Sequence, residues 1–245
     1  MIRGVVFDLD GTLLDHDGAE LAALSKLYPT LLDADDEPRR WLSFPEFAAA
    51  WHDAAERGWQ RYVAGELSFA EQRTWRVQQV IALQDGAGAS GRPLTEQEVS
   101  DIFDRYLVMY EKSWSLYPDV LPCLEALAAY PLGMITNGDG KQQRQKLGQL
   151  DIAERFRSVL VSGDVGVAKP QREIFERSAE ELGFHPSELL FIGDNPENDV
   201  RGAMQAGWHA IWLNRTGSEQ EVAARMVDDL SDIPHLIAGG FPRLP

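Results

Sequence analysis

The chain has 245 residues, of which 44% are apolar and 25% charged, the make-up of an ordinary soluble globular protein with ample length for a buried core. Its 39 acidic and 23 basic groups leave a formal charge of −16, which argues against a nucleic-acid backbone or an anionic membrane as partner. The single cysteine, Cys123, excludes an intrachain disulfide and a thiolate metal cluster.

The first expected element is a buried strand, "GVVFD" at 4–8. It opens into "VVFDLDGTLLD" (5–15), where Asp8 and Asp10 flank one leucine. Residues i and i+2 of a strand share a face, so the two carboxylates converge and call for a cation, a shared proton, or both. Residues 15–115 then read as an all-helical domain inserted after this strand, with 1–14 and 116–245 forming the α/β part. Three capping boxes mark helix starts in the insertion: Ser43 with Glu46, Ser68 with Glu71, and Thr95 with Glu98. Phe47, Trp51, Ala54, Ala55 and Tyr62 fit one helical face. Trp41, Trp51, Trp59, Trp75 and Trp114 fall in the same interval and are expected as packing between helices. Arg57, Arg61, Arg73 and Arg76 lie at helical spacing and are expected on a solvated face. "DGAGASGR" (85–92) reads as a loop.

After the insertion, "PDVLPCLEALAAY" reads as a helix that packs the Cys123 thiol. Four further apolar runs look like parallel strands: "LGMIT" (132–136), "SVLVS" (158–162), "LLFIGD" (189–194) and "HAIWLN" (209–214). "KQQRQKLGQL", "QREIFERSAEELG" and "NDVRGAMQAG" supply the helices between them, the last two stopping at Gly183 and Gly207. The alternation predicts an α/β fold, a doubly wound, mostly parallel Rossmann-like sheet with an inserted all-helical cap, whose ligands bind at the carboxyl ends of the strands. No apolar run approaches the roughly 18 residues of a membrane span. The N-terminus lacks the basic flank and cleavage site of a signal peptide, so cytoplasmic residence, as a monomer or weak homodimer, is the expectation.

Polar groups collect where four strands should finish: Asp8 and Asp10; Thr136 and Asn137 in "ITNGDG"; Lys169 in "VGVAKP"; Asp194 and Asp199 in "GDNPEND". Carboxylates suit a hard cation such as Mg²⁺, while a lysine and a hydroxyl suit an anion, and a phosphate ester satisfies both. Taken alone, Asp194 could be a helix N-cap, Thr136 an ordinary strand residue, and Asp199 a cap or a support for Asp194. Asn195, Glu197 and Asn198 carry no expected role.

"DLDGT", "TNG", "KP" and "GDNPEND", in this order, resemble the four signature motifs of the haloacid dehalogenase superfamily of hydrolases, and "VGVAKPQREIF" with "HAIWLNR" is similar to its nucleotidase and sugar-phosphatase branch. The resemblance implies a phosphatase of small metabolites. Asp8 is then the nucleophile that forms an aspartyl phosphate, and Asp10 the acid and later the base. Thr136, Lys169 and Asn137 bind or orient phosphoryl oxygens, and Gly11 permits the tight turn that brings backbone amides to the phosphate. Mg²⁺ is held by Asp8, the Asp10 carbonyl and Asp194, with Asp199 ligating directly or through water. A phosphomutase shares this core, and a receiver-like switch also holds an aspartyl phosphate, though without turnover. Dehalogenation is disfavoured because halide does not need the proton that Asp10 provides.

Overall fold

The computed structural model describes residues 1–32, 42–85 and 94–241. Trp41 and all but the first residue of the expected loop at 85–92 lie outside the described residues. The chain begins with β1 (Gly4–Phe7) and, among the described residues, passes through the long helices α1 (His16–Leu32), α2 (Phe44–Val63), α3 (Phe69–Asp85) and α4 (Glu96–Glu111). After α5 (Val120–Ala126) it alternates: β2 (Leu132–Thr136), α6 (Gly140–Gln149), β3 (Ser158–Val161), the single turn α7 (Ser162–Val165), α8 (Arg172–Leu182) and β4 (Leu189–Gly193). Then come α9 (Gly202–Gln205), β5 (His209–Leu213), β6 (Arg225–Val227) and α10 (Ile233–Gly239). The chain divides into two compact units, Met1–His16 with Trp114–Pro245, and Asp17–Ser113.

The first unit is built on one sheet in the order β3-β2-β1-β4-β5-β6, with every neighbouring pair parallel. It is the expected doubly wound α/β sheet. β1, β2 and β4 are buried along their whole length, as near-continuous apolar strands covered on both faces should be. Under one face Phe175, Phe191 and Trp208 meet edge to face at centroid distances of 5.5 to 6.4 Å. Such contacts add roughly 0.5–1.5 kcal/mol per pair beyond area burial. Chain order reverses around β1, with β2 on one side and β4 on the other, and in such sheets the crevice beyond the strand ends is the binding edge. The register brings those ends level: Phe7 pairs with Met134 and with Ile192. Asp8 therefore emerges beside Gly193 and one residue short of Thr136.

Two local differences from expectation have simple causes. β6 was not expected because its three residues, Arg225, Met226 and Val227, include two exposed side chains and no apolar run. The "NDVRGAMQAG" segment is not uniformly α-helical: Pro196–Arg201 winds as a π-helix before α9. Wide turns of this kind frequently occur at functional sites. Cys123 is buried on α5, and burial together with Asp119 pushes its thiol up to about 12, so it is inert packing.

The second unit holds all three capping boxes. Glu46, Glu71 and Glu98 accept from the backbone N–H groups of Ser43, Ser68 and Thr95 at 2.7–2.8 Å. Phe47, Trp51, Ala54 and Gly58 form the buried stripe of α2, while Ala55 and Tyr62 are only half-buried. Trp51 packs on Phe103 and Tyr106 with centroids 6.5 and 4.6 Å away. Arg57 and Arg61 lie on the expected solvated face, paired with Asp53 and Glu66. Arg76 does not. Its side chain is 14% exposed and approaches buried Glu20, which also takes His52 at 3.1 Å. Trp114, expected in the helical insertion, belongs to the α/β unit.

Candidate active site

Every predicted site residue lies at the carboxyl edge of the sheet in the first unit. Asp8 follows β1, with its backbone N–H bonded to the Ile192 carbonyl at 2.9 Å. The next residues form a tight turn in which Gly11 has φ +80° and donates to the Leu14 carbonyl at 2.9 Å. A Cβ at Gly11 would stand 2.5 Å from an oxygen of Asp194, so a side chain there would collide with that carboxylate as well as strain the backbone. Thr12 donates from Oγ1 to Asp194 Oδ1 at 3.1 Å. Asp194 directly follows β4, and its carbonyl is held by the Trp212 indole at 2.8 Å.

Asp8, Asp194 and Asp199 each offer one carboxylate oxygen, and these three oxygens lie within 4.8 Å of one another. Lys169 enters the same cluster, buried, with Nζ 2.5 Å from Asp8 Oδ1. It also lies 2.6 Å from Asp199 Oδ1, as an ion pair without the alignment of a hydrogen bond. The other Asp199 oxygen accepts the Asn195 N–H at 2.9 Å. Burial pushes the Asp8 carboxyl up to about 7 despite Lys169, with repulsion from Asp199 and Asp10 adding to the rise. Asp194 is raised by burial and then by Asp8 and Asp199. For Lys169 burial favours the neutral amine, but Asp199 and Asp8 outweigh it and hold the ammonium charged. One lysine against three close carboxylates leaves negative charge uncompensated. An all-oxygen donor set with that surplus is what a hard divalent cation takes.

Asp10, two residues beyond Asp8, has separate company. Lys146 Nζ stands 2.6 and 2.8 Å from its two oxygens, and Gln143 Nε2 donates to Oδ2 at 2.8 Å. Burial alone would raise the Asp10 carboxyl; Lys146, His16 and Gln143 outweigh it and hold the group below the usual carboxylate range. Thr136, at the end of β2, receives the same Gln143 amide at 2.6 Å. Asn137 faces Lys169 differently from the sequence expectation. Its side chain accepts from the Lys169 N–H at 2.9 Å and donates to the Lys169 carbonyl at 3.0 Å, clamping the backbone of that segment.

Gln143, Lys146 and Thr12 were not among the sequence candidates. A signal for the first two does exist. The buried positions of α6 are Gly140, Gln143, Lys146 and Leu147, so a helix packed on the sheet carries one large apolar residue where a stripe is expected. A missing stripe means that polar groups are being buried, and buried polar groups need partners. Arg215 supports the turn from outside: it bonds the Thr12 carbonyl at 3.0 Å and pairs with Asp119 at 3.0 Å.

A sequence profile described as haloacid dehalogenase-like hydrolase matches residues 2–207. A phosphoserine phosphatase of Thermus thermophilus is 32% identical over 174 residues, covering 70% of this chain and 68% of that one. A phosphoglycolate phosphatase of Escherichia coli strain K12 is 32% identical over 223 residues, covering 86% of this chain and 81% of that one. Among solved structures, a hydrolase of the haloacid dehalogenase type from Bacillus subtilis, crystallised with magnesium, matches with a TM-score of 0.76 at 22% identity. That match covers 96% of this chain and 97% of the other.

Proposed function

The chain belongs to the haloacid dehalogenase-like hydrolases, an enzyme of the phosphoric monoester class, and from that premise we propose that it is a Mg²⁺-dependent phosphatase of small metabolites that works through an aspartyl phosphate on Asp8. The observation that carries the reading is the separation of the two opening aspartates. Asp8 sits among carboxylates and Lys169, while Asp10 has its own partners on α6. Those surroundings support a nucleophile beside a cation at Asp8 and a proton carrier at Asp10.

Asp8, the Asp10 carbonyl and Asp194 would hold Mg²⁺. Bound there, the ion would screen Asp8 from the anionic phosphoryl group and stabilise charge on its oxygens. Asp199, which meets Lys169 and the Asn195 N–H, would support the ion directly or through water and orient Lys169. An ammonium has three donors, and with Asp8 taking one it can still donate to a phosphoryl oxygen. The Thr136 hydroxyl supplies a further donor. Asp8 attacks phosphorus; Asp10, once protonated against the pull of Lys146, delivers that proton to the leaving alkoxide, and the resulting carboxylate, the form Lys146 and Gln143 favour, then takes a proton from the water that opens the aspartyl phosphate. Halide needs no such proton, which disfavours dehalogenation. The helical unit Asp17–Ser113 is the proposed cap, and the substrate a compact phosphate ester such as a nucleoside monophosphate, a sugar phosphate, phosphoserine or phosphoglycolate.

The test is release of inorganic phosphate from a panel of esters with Mg²⁺, and again after exhaustive chelation. Many turnovers per chain with Mg²⁺, abolished by chelation and restored by the ion, are expected. Full activity in metal-free protein would overturn the metal assignment, and a single phosphorylation event without turnover would point to a switch protein.

A further inference from the structure

Helix α6 buries an ammonium and an amide where two apolar side chains would pack more cheaply. Gln143 is 1% and Lys146 2% exposed. Removing an ion from water costs several kcal/mol, recovered only with good geometry and satisfied hydrogen bonds. Both groups meet that condition on one carboxylate, that of Asp10, more than 130 residues earlier in the chain. Lys146 Nζ spans both Asp10 oxygens, and Gln143 Nε2 takes Oδ2 at 2.8 Å. An amide nitrogen carries two protons. The second direction reaches Thr136 Oγ1 at 2.6 Å, so a single side chain joins Asp10 to Thr136.

We propose that Gln143 and Lys146 are positioning residues, which fix the Asp10 carboxylate in one orientation and set its distance from the phosphoryl group held at Thr136. The inference rests on the reading of Asp10 as acid and base. With both oxygens engaged, the carboxylate cannot turn about its own axis, and the oxygen that exchanges a proton stays at a constant place relative to the leaving group and the water. Misplacement of a reacting group by a fraction of an ångström affects the chemical step far more than ground-state binding. Alternatively the same contacts could merely fasten α6 to the β1 turn. That role would be lost equally whether or not position 10 can exchange a proton.

The experiment is a double-mutant cycle in the full-length protein with saturating Mg²⁺ and an aryl phosphate as probe. Lys146→Met and Gln143→Met are made singly and each with Asp10→Asn, and thermal melting monitors folding. Each single variant should lower kcat by about 10–100-fold with KM little changed, the usual cost of losing a partner that orients a reactive group. In the Asp10→Asn background the same substitutions should cost less than about threefold, because residues acting through one group are not additive. If Lys146→Met does not fold, the Gln143→Met cycle, which removes no charge, decides. Losses that multiply in the Asp10→Asn background, or that appear in KM alone, would overturn the inference. Wild-type turnover by Asp10→Asn itself would instead remove the reading of Asp10 on which it rests.

Discussion

At the scale of single residues, the two aspartates of the opening motif separate by their neighbours. Asp8 faces Asp194, Asp199 and Lys169, and Asp10 faces Lys146 and Gln143. Asp8→Asn should abolish phosphoenzyme formation with every ester, a loss of many orders of magnitude. Asp10→Asn should still phosphorylate Asp8 from an aryl ester, whose leaving group departs as a stable anion, but should then stall. The expected trace is a burst near one product per chain followed by a slow steady state, with label recovered on Asp8 after acid quenching. Label on another residue would refute the assignment of the nucleophile. A third prediction concerns His52, whose hydrogen bond with Glu20 raises its ring, against the effect of burial, to about 9 from an ordinary 6.5. The folded state therefore holds that proton more tightly than the unfolded chain. Its contribution to stability is fully present below pH 6.5 and is lost as pH rises through about 9. The melting-temperature gap between wild type and His52→Gln should be widest near pH 6 and close by pH 10; a constant gap would show that the imidazole matters only by packing.

At the scale of elements, the helical starts are set by short-range chemistry. Thr95 and Glu98 satisfy each other's backbone N–H groups at the head of α4, at 3.3 and 2.8 Å. Thr95→Ala should cost about 1 kcal/mol, read as a lower denaturant midpoint with an unchanged slope. A change in slope would indicate that the helix had been lost from the native state. The same locality explains which elements could be read from the sequence. Five apolar runs became five of the six strands, and three capping boxes stand at three helix starts. β6 escaped because an edge strand with two exposed residues is defined by its pairing with β5 and by nothing in its own composition. Arg76 escaped for the converse reason. Its spacing along α3 is that of a surface arginine, and the approach of Glu20 from α1, Trp51 from α2 and Phe103 from α4 places it inside.

For the molecule as a whole, the formal charge of −16 repels a phosphate ester at long range, so attraction must come from local positive charge, which on the proposed reading is a bound cation with Lys169. On the same reading, selectivity is proposed to lie in the helical unit. Both ends of the excision meet within the α/β unit: the Asp15 N–H bonds the Ser115 carbonyl at 3.0 Å, and Leu14 bridges Leu116. Replacing residues 17–113 with a short linker should leave a folded core that hydrolyses an aryl phosphate and discriminates poorly among natural esters. If kcat/KM ratios across a panel matched those of the intact chain, the helical unit would not be the selector.

Five of the strands, the helices that alternate with them and the carboxylates at the strand ends followed from the sequence by itself. Each depends on residues within a few positions of one another, where periodicity and turn chemistry act directly. The partners of those carboxylates did not follow. That Lys169 bridges Asp8 and Asp199, that Asn137 clamps the Lys169 backbone, and that Gln143 and Lys146 on α6 grip Asp10 depend on the parallel register that levels the ends of β1, β2 and β4. A buried charge is tolerated only opposite its complement, and across a hundred or more residues that complement is chosen by tertiary packing alone.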